Sequence, residues 1–247
     1  MPISPNQGST SGGTTVTITG VNLSGATAVH FGSRTATITA NTPTSITVID
    51  PAGCGVVDVN VTTAGGTSNS LPFFYISPPI AVSLGPDSGP TAGGNTVDIN
   101  GYGLSTAGNV TFGSNSATPT VVSDSQLSVV VPSGSSSGSV DVTVATTGGT
   151  TAPLTYTYVD APTLVSLTPA SGSASGGTSV TVNGTGLTST TDVTFGGTTA
   201  SFAVLNNTTL VAVTPPGTAG SVDVVVTTEG GSATVSDGFT YTSGPGI

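Results

Sequence analysis

Apolar residues in this chain come in short bursts that alternate with Thr, Ser, Asn and Asp. In Thr15-Val16-Thr17-Ile18-Thr19 the two aliphatic side chains fall on one side of an extended backbone and the three threonines on the other. That period of two predicts a strand with one buried face. Ala28-Val29-His30-Phe31-Gly32, Ala36-Thr37-Ile38 and Ser45-Ile46-Thr47-Val48 follow. Val57-Asp58-Val59-Asn60-Val61 alternates again, valines inward, Asp58 and Asn60 outward. Gly65-Gly66 marks a tight turn, and Phe73-Phe74-Tyr75-Ile76 closes the series. About seven short strands, spaced about ten residues apart with turn signals between them, predict an antiparallel sandwich.

The series is then repeated. Gly12-Gly13-Thr14-Thr15-Val16 returns as Gly93-Gly94-Asn95-Thr96-Val97 and as Gly176-Gly177-Thr178-Ser179-Val180, at offsets of 81 and 83 residues. Val29-His30-Phe31-Gly32 is answered by Val110-Thr111-Phe112-Gly113 and Val193-Thr194-Phe195-Gly196. The Val57 strand is answered by Val140-Asp141-Val142-Thr143-Val144 and Val222-Asp223-Val224-Val225-Val226. A fixed period of this size means one structural unit per repeat. Three units follow: residues 1–78, 79–161 and 162–247. The connectors, Pro78-Pro79 and Val159-Asp160-Ala161-Pro162-Thr163, are short, and proline stiffens them. They predict three beads in an elongated row. Residues 243–247 read as a fraying end.

Composition agrees and removes other classes. Thr and Val fill the periodic stretches and favour strands, so no long helix is expected. Gly is frequent at 36 residues but shows no three-residue period, which excludes collagen. No run of 18 apolar residues exists, so no membrane-spanning helix is predicted. The start, Met1-Pro2-Ile3-Ser4-Pro5, lacks the basic and apolar regions of a signal peptide. The first repeat begins within a few residues of Met1, and an intact translated start is the expectation. Eleven acids face one base, Arg34, for a formal net charge of −10. Nucleic-acid binding needs several basic residues on the phosphates, and attraction to anionic lipid needs them too; neither partner is expected. There is no Lys, so a Lys–Asn cross-link cannot form.

The repeated residues resemble the IPT/TIG family of immunoglobulin-like domains. The resemblance lies in a Pro-x-x-Gly lead-in (Pro5 to Gly8, Pro86 to Gly89, Pro169 to Gly172), then Gly-Gly and an alternating strand. A Gly-x-x-Leu or Gly-x-Gly-Leu turn, a Phe-Gly pair, a Val-x-Val strand and an aromatic end complete it. It covers all three units. It implies an all-β fold of three tandem immunoglobulin-like β-sandwiches with a role in spacing or protein contact, and no catalytic residues. The DNA-contacting role of Rel-type members is not implied, because the basic residues are missing.

Phe31, Phe112 and Phe195 read as core plugs between sheets, each contributing about 2–3 kcal/mol by burial. Tyr75, Tyr156, Tyr158 and Tyr241 lie near unit ends and are expected to pack the joints between units. His30, the lone histidine, is expected on a solvent-facing strand position, where the other units carry Thr111 and Thr194. Cys54, the lone cysteine, sits in a Gly-Cys-Gly turn and reads as a tolerated small residue; an intermolecular bridge or reactive thiol is the alternative. One His and one Cys are too few for a His/Cys metal site. Asp58, Asp141 and Asp223 share one outward register. They read as charges that discourage sheet-to-sheet association, with weak Ca²⁺ binding as the alternative. No catalytic, cofactor-binding or metal-ligating residue is therefore assigned, no cofactor is expected, and the chain does not read as an enzyme.

What remains is uncharged, Thr- and Ser-rich strand surface with few charges guarding its edges. The reading is a non-enzymatic structural or interaction protein outside the cell, on a cell surface or on a virion-like particle. Its expected partner is itself, in a homo-oligomer or fibre, or a particle or cell surface. Adhesion or polysaccharide binding is the alternative.

Overall fold

The computed structural model describes residues 2–244; Met1 and residues 245–247 lie outside them, and with the latter most of the 243–247 tail on which a fraying end was expected. Each unit is a pair of sheets. In the first, Ile3–Ser4, Thr15–Thr19, Ser45–Ile49 and Thr37–Asn41 lie side by side in that order. The second sheet runs Gln7–Ser9, Leu71–Ile76, Gly55–Thr63, Ala28–Phe31, Arg34–Thr35, and Gly66–Thr67 folds back on Gly55–Thr63. All pairings are antiparallel except Gln7–Ser9, which runs parallel to Leu71–Ile76. The second unit repeats this topology. The third does so with one change: its last two strands merge into the single strand Gly231–Thr242. Among the described residues there is no helix.

The alternation seen along the chain is the burial pattern observed. Val16 and Ile18 are buried while Thr15 and Thr19 are exposed. Each unit has its own core of aliphatic residues around three aromatic rings. Phe31 meets Phe73 edge-on at 5.0 Å, and Phe73 meets Tyr75 at 5.2 Å. Phe112, Tyr156 and Tyr158 repeat the arrangement at 5.5 and 5.1 Å, and Phe195, Phe239 and Tyr241 at 5.3 and 5.1 Å. Edge-to-face contacts of this kind contribute about 0.5–1.5 kcal/mol beyond burial.

The tyrosines therefore do not pack the joints. Tyr75, Tyr156, Tyr158 and Tyr241 are all buried inside their own sandwiches. The reason is strand parity: Tyr75 stands two residues beyond Phe73 and points the same way. Its hydroxyl donates to the Pro51 carbonyl at 2.6 Å; Tyr158 and Tyr241 do the same to Pro132 and Pro215 at 2.7 and 2.8 Å. Burial, and secondarily the Asp50 carboxylate nearby, pushes the Tyr75 hydroxyl up to about 12.

Beside each aromatic group lies a polar cluster that differs from unit to unit. In the second, the Asn95 amide donates to the Tyr156 hydroxyl at 3.0 Å. In the third, Thr178 N–H donates to the Thr214 hydroxyl at 3.1 Å. In the first, Thr14 N–H donates to Asp50 Oδ1, while Asp50 Oδ2 is buried with no partner among the described residues. Asp50 is only 3% exposed. Desolvation raises its pKa despite the donors around Oδ1.

What joins the units is a glycine seat. The Gly148-Gly149 hairpin tip of the second unit lies on the first connector, so that a Cβ on Gly148 would overlap the Ser77 carbonyl. Ser9 of the first unit closes the contact by donating to the Gly148 carbonyl at 2.9 Å. Gly230 of the third unit lies in the same way against the Asp160 carbonyl. Asp160 is itself tied back to the second unit, accepting from Thr91 and Ser137 hydroxyls at 2.9 and 2.6 Å.

Two outcomes follow from these contacts. Asp50→Thr, which copies the third unit, should raise the stability of the first sandwich at pH 7 by about 1–3 kcal/mol in denaturant titration. Because the folded-state pKa of Asp50 is raised, its penalty is full above that pKa and absent below the unfolded value of 3.8. The gain should therefore shrink as pH falls toward 4; a gain independent of pH would contradict this account. Gly230→Val should unseat the third unit without unfolding it. Small-angle scattering should then show a broader spread of maximum dimensions, and an unchanged profile would show that the seat does not fix the joint.

Candidate functional site

The clefts beside the aromatic cores come first, because they recur. Each lies between a Phe-Gly hairpin and the loop that the tyrosine hydroxyl holds. The first, about 350 Å³, is lined by Phe31, Arg34, Gly53, Cys54, Val57 and Tyr75. Its counterparts are bounded by Phe112, Gly134, Val140 and Tyr158, and by Phe195, Gly217, Val222 and Tyr241. In the first cleft Arg34 donates to the Ala52 carbonyl at 2.8 Å, so the chain's one basic side chain pins the loop that follows Ser45–Ile49. Cys54 is exposed there.

The other residues weighed for chemistry stay apart. His30 is half-buried on the strand Ala28–Phe31, its Nδ1 3.4 Å from the Thr35 hydroxyl. Asp58, Asp141 and Asp223 are exposed on equivalent strands. Asp223 Oδ1 accepts from the Asp237 N–H at 2.9 Å. Among the described residues no three His, Cys, Asp or Glu side chains come together as a metal ion would require.

The outer faces of the four-stranded sheets offer more. In the second unit that sheet runs Ile80–Gly85, Thr96–Tyr102, Gln126–Val130, Thr120–Ser123. One row across it is Ser83, Asn100, Gln126, Ser123, all uncharged hydrogen-bonding side chains. The next row holds Ile80 opposite Tyr102. Tyr102 is 65% exposed, unlike the four core tyrosines. A bulge between Ala81 and Ser83 turns Val82 outward beside it. Gly101 makes that bulge possible, because a Cβ there would overlap the Ile80 carbonyl. Val82, Asn100, Gly101, Tyr102 and Ser125 line a groove of about 260 Å³.

Tyr102 falls at the variable position of the Gly-x-Gly-Leu turn, where the repeat pattern alone does not mark it. The available signal was substitution within the repeat: Val21 and Thr185 hold the same place in the other units. The third unit keeps the bulge and the Asn183–Ser166 pair at 3.2 Å, but has no aromatic residue there.

The outer edges of these sheets are the other open surface. Thr37–Asn41, Thr120–Ser123 and Ser201–Asn206 each end a sheet, and none carries a charge. Val121, Val122 and Leu205 are exposed on them. Each edge strand also carries one register shift, at Ile38/Ala40, Val121/Ser123 and Val204/Asn206.

The repeat, the paired sheets and the Phe-Gly hairpins match the IPT/TIG domain over residues 1–75, 79–158 and 162–243. The chain belongs to the IPT/TIG family. Similar solved structures include the plexin A4 full extracellular region, at 22% identity and TM-score 0.49, covering 93% of this chain and 22% of that one. A protein titled SGBP-B from a complex xyloglucan utilization locus in Bacteroides uniformis aligns at 21% identity and TM-score 0.32, covering 66% of this chain and 49% of that one. The Escherichia coli adhesin FdeC aligns at 16% identity and TM-score 0.33, covering 95% of both chains. The three IPT/TIG units thus span about a fifth of the plexin chain and half of the SGBP-B chain. No curated protein matches the sequence.

Proposed function

We propose that this chain is a non-enzymatic interaction protein, a rod of IPT/TIG units outside the cell, on a cell surface or on a particle surface, that associates with further copies of itself or with that surface. The observation that carries the reading is the set of three uncharged edge strands, one per unit, with Val121, Val122 and Leu205 exposed on the last two. Sheet edges are ordinarily guarded by charge, because their open N–H and C=O groups can pair with another chain. Here the bulges are the guard, and they leave part of each edge open. The glycine seats support the rod, since they hold successive units against their connectors.

A second reading, adhesion to polysaccharide, has one specific observation in its favour: the Tyr102 groove with its uncharged row of Ser, Asn and Gln.

Association through the edges is tested by light scattering and negative-stain electron microscopy of wild type and of Val122→Lys/Leu205→Lys. Wild type should exceed the mass of one chain as concentration rises, and the doubly charged variant should fall back to a single chain. Wild type that stays a single chain at every concentration would remove the self-association reading.

A further inference from the structure

We propose that the outer face of the second unit is a binding platform for a neutral polysaccharide, with Tyr102 as the stacking surface and Asn100, Gln126 and Ser125 as its hydrogen-bonding groups. The proposal rests on the adhesion reading above and names its site and ligand class.

Tyr102 presents a large, rigid, amphipathic surface to solvent, and only two side-chain torsions are lost when a ligand covers it. Its backbone is already held in place. Gly103 and Ser105 N–H groups donate to the two oxygens of Asp124 at 3.2 and 3.3 Å, fixing the turn that follows it. Val82, turned outward by the bulge, extends the apolar surface. A pyranose ring has the matching shape, with one C–H face to lie on the phenol and hydroxyls around its rim.

The rim groups find their partners in the adjoining row. The Asn100 amide donates to Ser83 Oγ at 3.4 Å, and its carbonyl oxygen has no partner among the described residues. Gln126 donates to Asp98 at 3.4 Å, and its own carbonyl oxygen has no partner among the described residues. Four strands spaced about 4.8 Å apart give a strip of about 14 Å, wide enough for several linked sugar rings. A small apolar surface with a few oriented polar groups is the general form of a small-ligand site.

Charge decides which polysaccharide. No Lys or Arg lies in the second unit, while Asp98 and Asp124 flank the groove. Uronic-acid, sulfated and phosphorylated chains would meet like charge on a molecule of net charge −10. Neutral chains meet no such barrier, and their hydroxyls match uncharged donors and acceptors.

The test is affinity gel electrophoresis of the whole chain in hydroxyethylcellulose, glucomannan, xylan and, as the anionic arm, polygalacturonate. Three variants accompany wild type: Tyr102→Thr, which copies the residue the third unit tolerates, Tyr102→Phe and Asn100→Ala. At least one neutral polymer should retard wild type, polygalacturonate should not, and Tyr102→Thr should weaken retardation by about tenfold, with Tyr102→Phe keeping most of it. Circular dichroism melts of the variants confirm that the fold is intact. Retardation that Tyr102→Thr leaves unchanged would overturn this site while the adhesion reading survives. No retardation by any polymer would overturn both. Retardation by polygalacturonate alone would overturn the charge argument and with it the proposal.

Discussion

The edge-to-face triplet of aromatic rings at the heart of each unit is the contact on which the rest depends. It fills the space between two sheets in a sandwich with no disulfide and no tryptophan. Its last member does two jobs in each unit. The ring of Tyr75, Tyr158 or Tyr241 packs the core, while the hydroxyl holds the loop carbonyl at Pro51, Pro132 or Pro215. Sheet packing and loop position are thereby one constraint. The recurring clefts lie where the Phe-Gly hairpin and this loop fail to meet, so they follow from the same geometry rather than from a separate design.

The joints extend that economy along the chain. A hairpin tip without a side chain is what lets a following unit approach the preceding connector's backbone. Glycine in this place is therefore a packing residue, although the sequence shows it only as a turn. The connector is fixed from the other side too, at Asp160, by hydroxyls of the unit it leaves. Two exposed hydrogen bonds to that carboxylate, first from Ser137 and then from Thr91, hold its pKa below the ordinary value.

Much of the fold could be read from residue order alone. Val16, Ile18, Val59 and Val61 are buried where period two puts them, and Phe31, Phe112 and Phe195 plug the cores as expected. The same parity rule, applied from Phe73 to Tyr75, would have placed the tyrosines inside; position near a unit end was the weaker guide. The burial of Asp50 was hidden for a different reason. Nothing local marks it, since it ends a strand before a proline, and what surrounds it comes from Thr14, 36 residues earlier. Val82 was hidden because a bulge is a property of two strands in register, and neither strand shows it by itself; Tyr102, by contrast, faces outward by the same alternation that buries Val97 and Ile99.

The three polar clusters bear on how such a repetitive chain avoids confusing its own parts. Strands from different units are alike enough to be exchanged, and neighbouring copies of one domain are prone to that error during folding. The polar partners beside the cores are not alike. If the Phe73 strand took the place of the Tyr156 strand, the half-buried Asn95 amide would lose the hydroxyl it binds, a loss of about 1 kcal/mol for one net hydrogen bond. The reverse exchange would bring the Tyr156 hydroxyl to the unpartnered Asp50 carboxylate, which it would satisfy, while leaving Asn95 of the second unit without it. Three cores with nearly identical apolar walls thus sit beside different polar groups, and in the second unit an exchanged strand leaves Asn95 with a hydrogen bond it cannot complete.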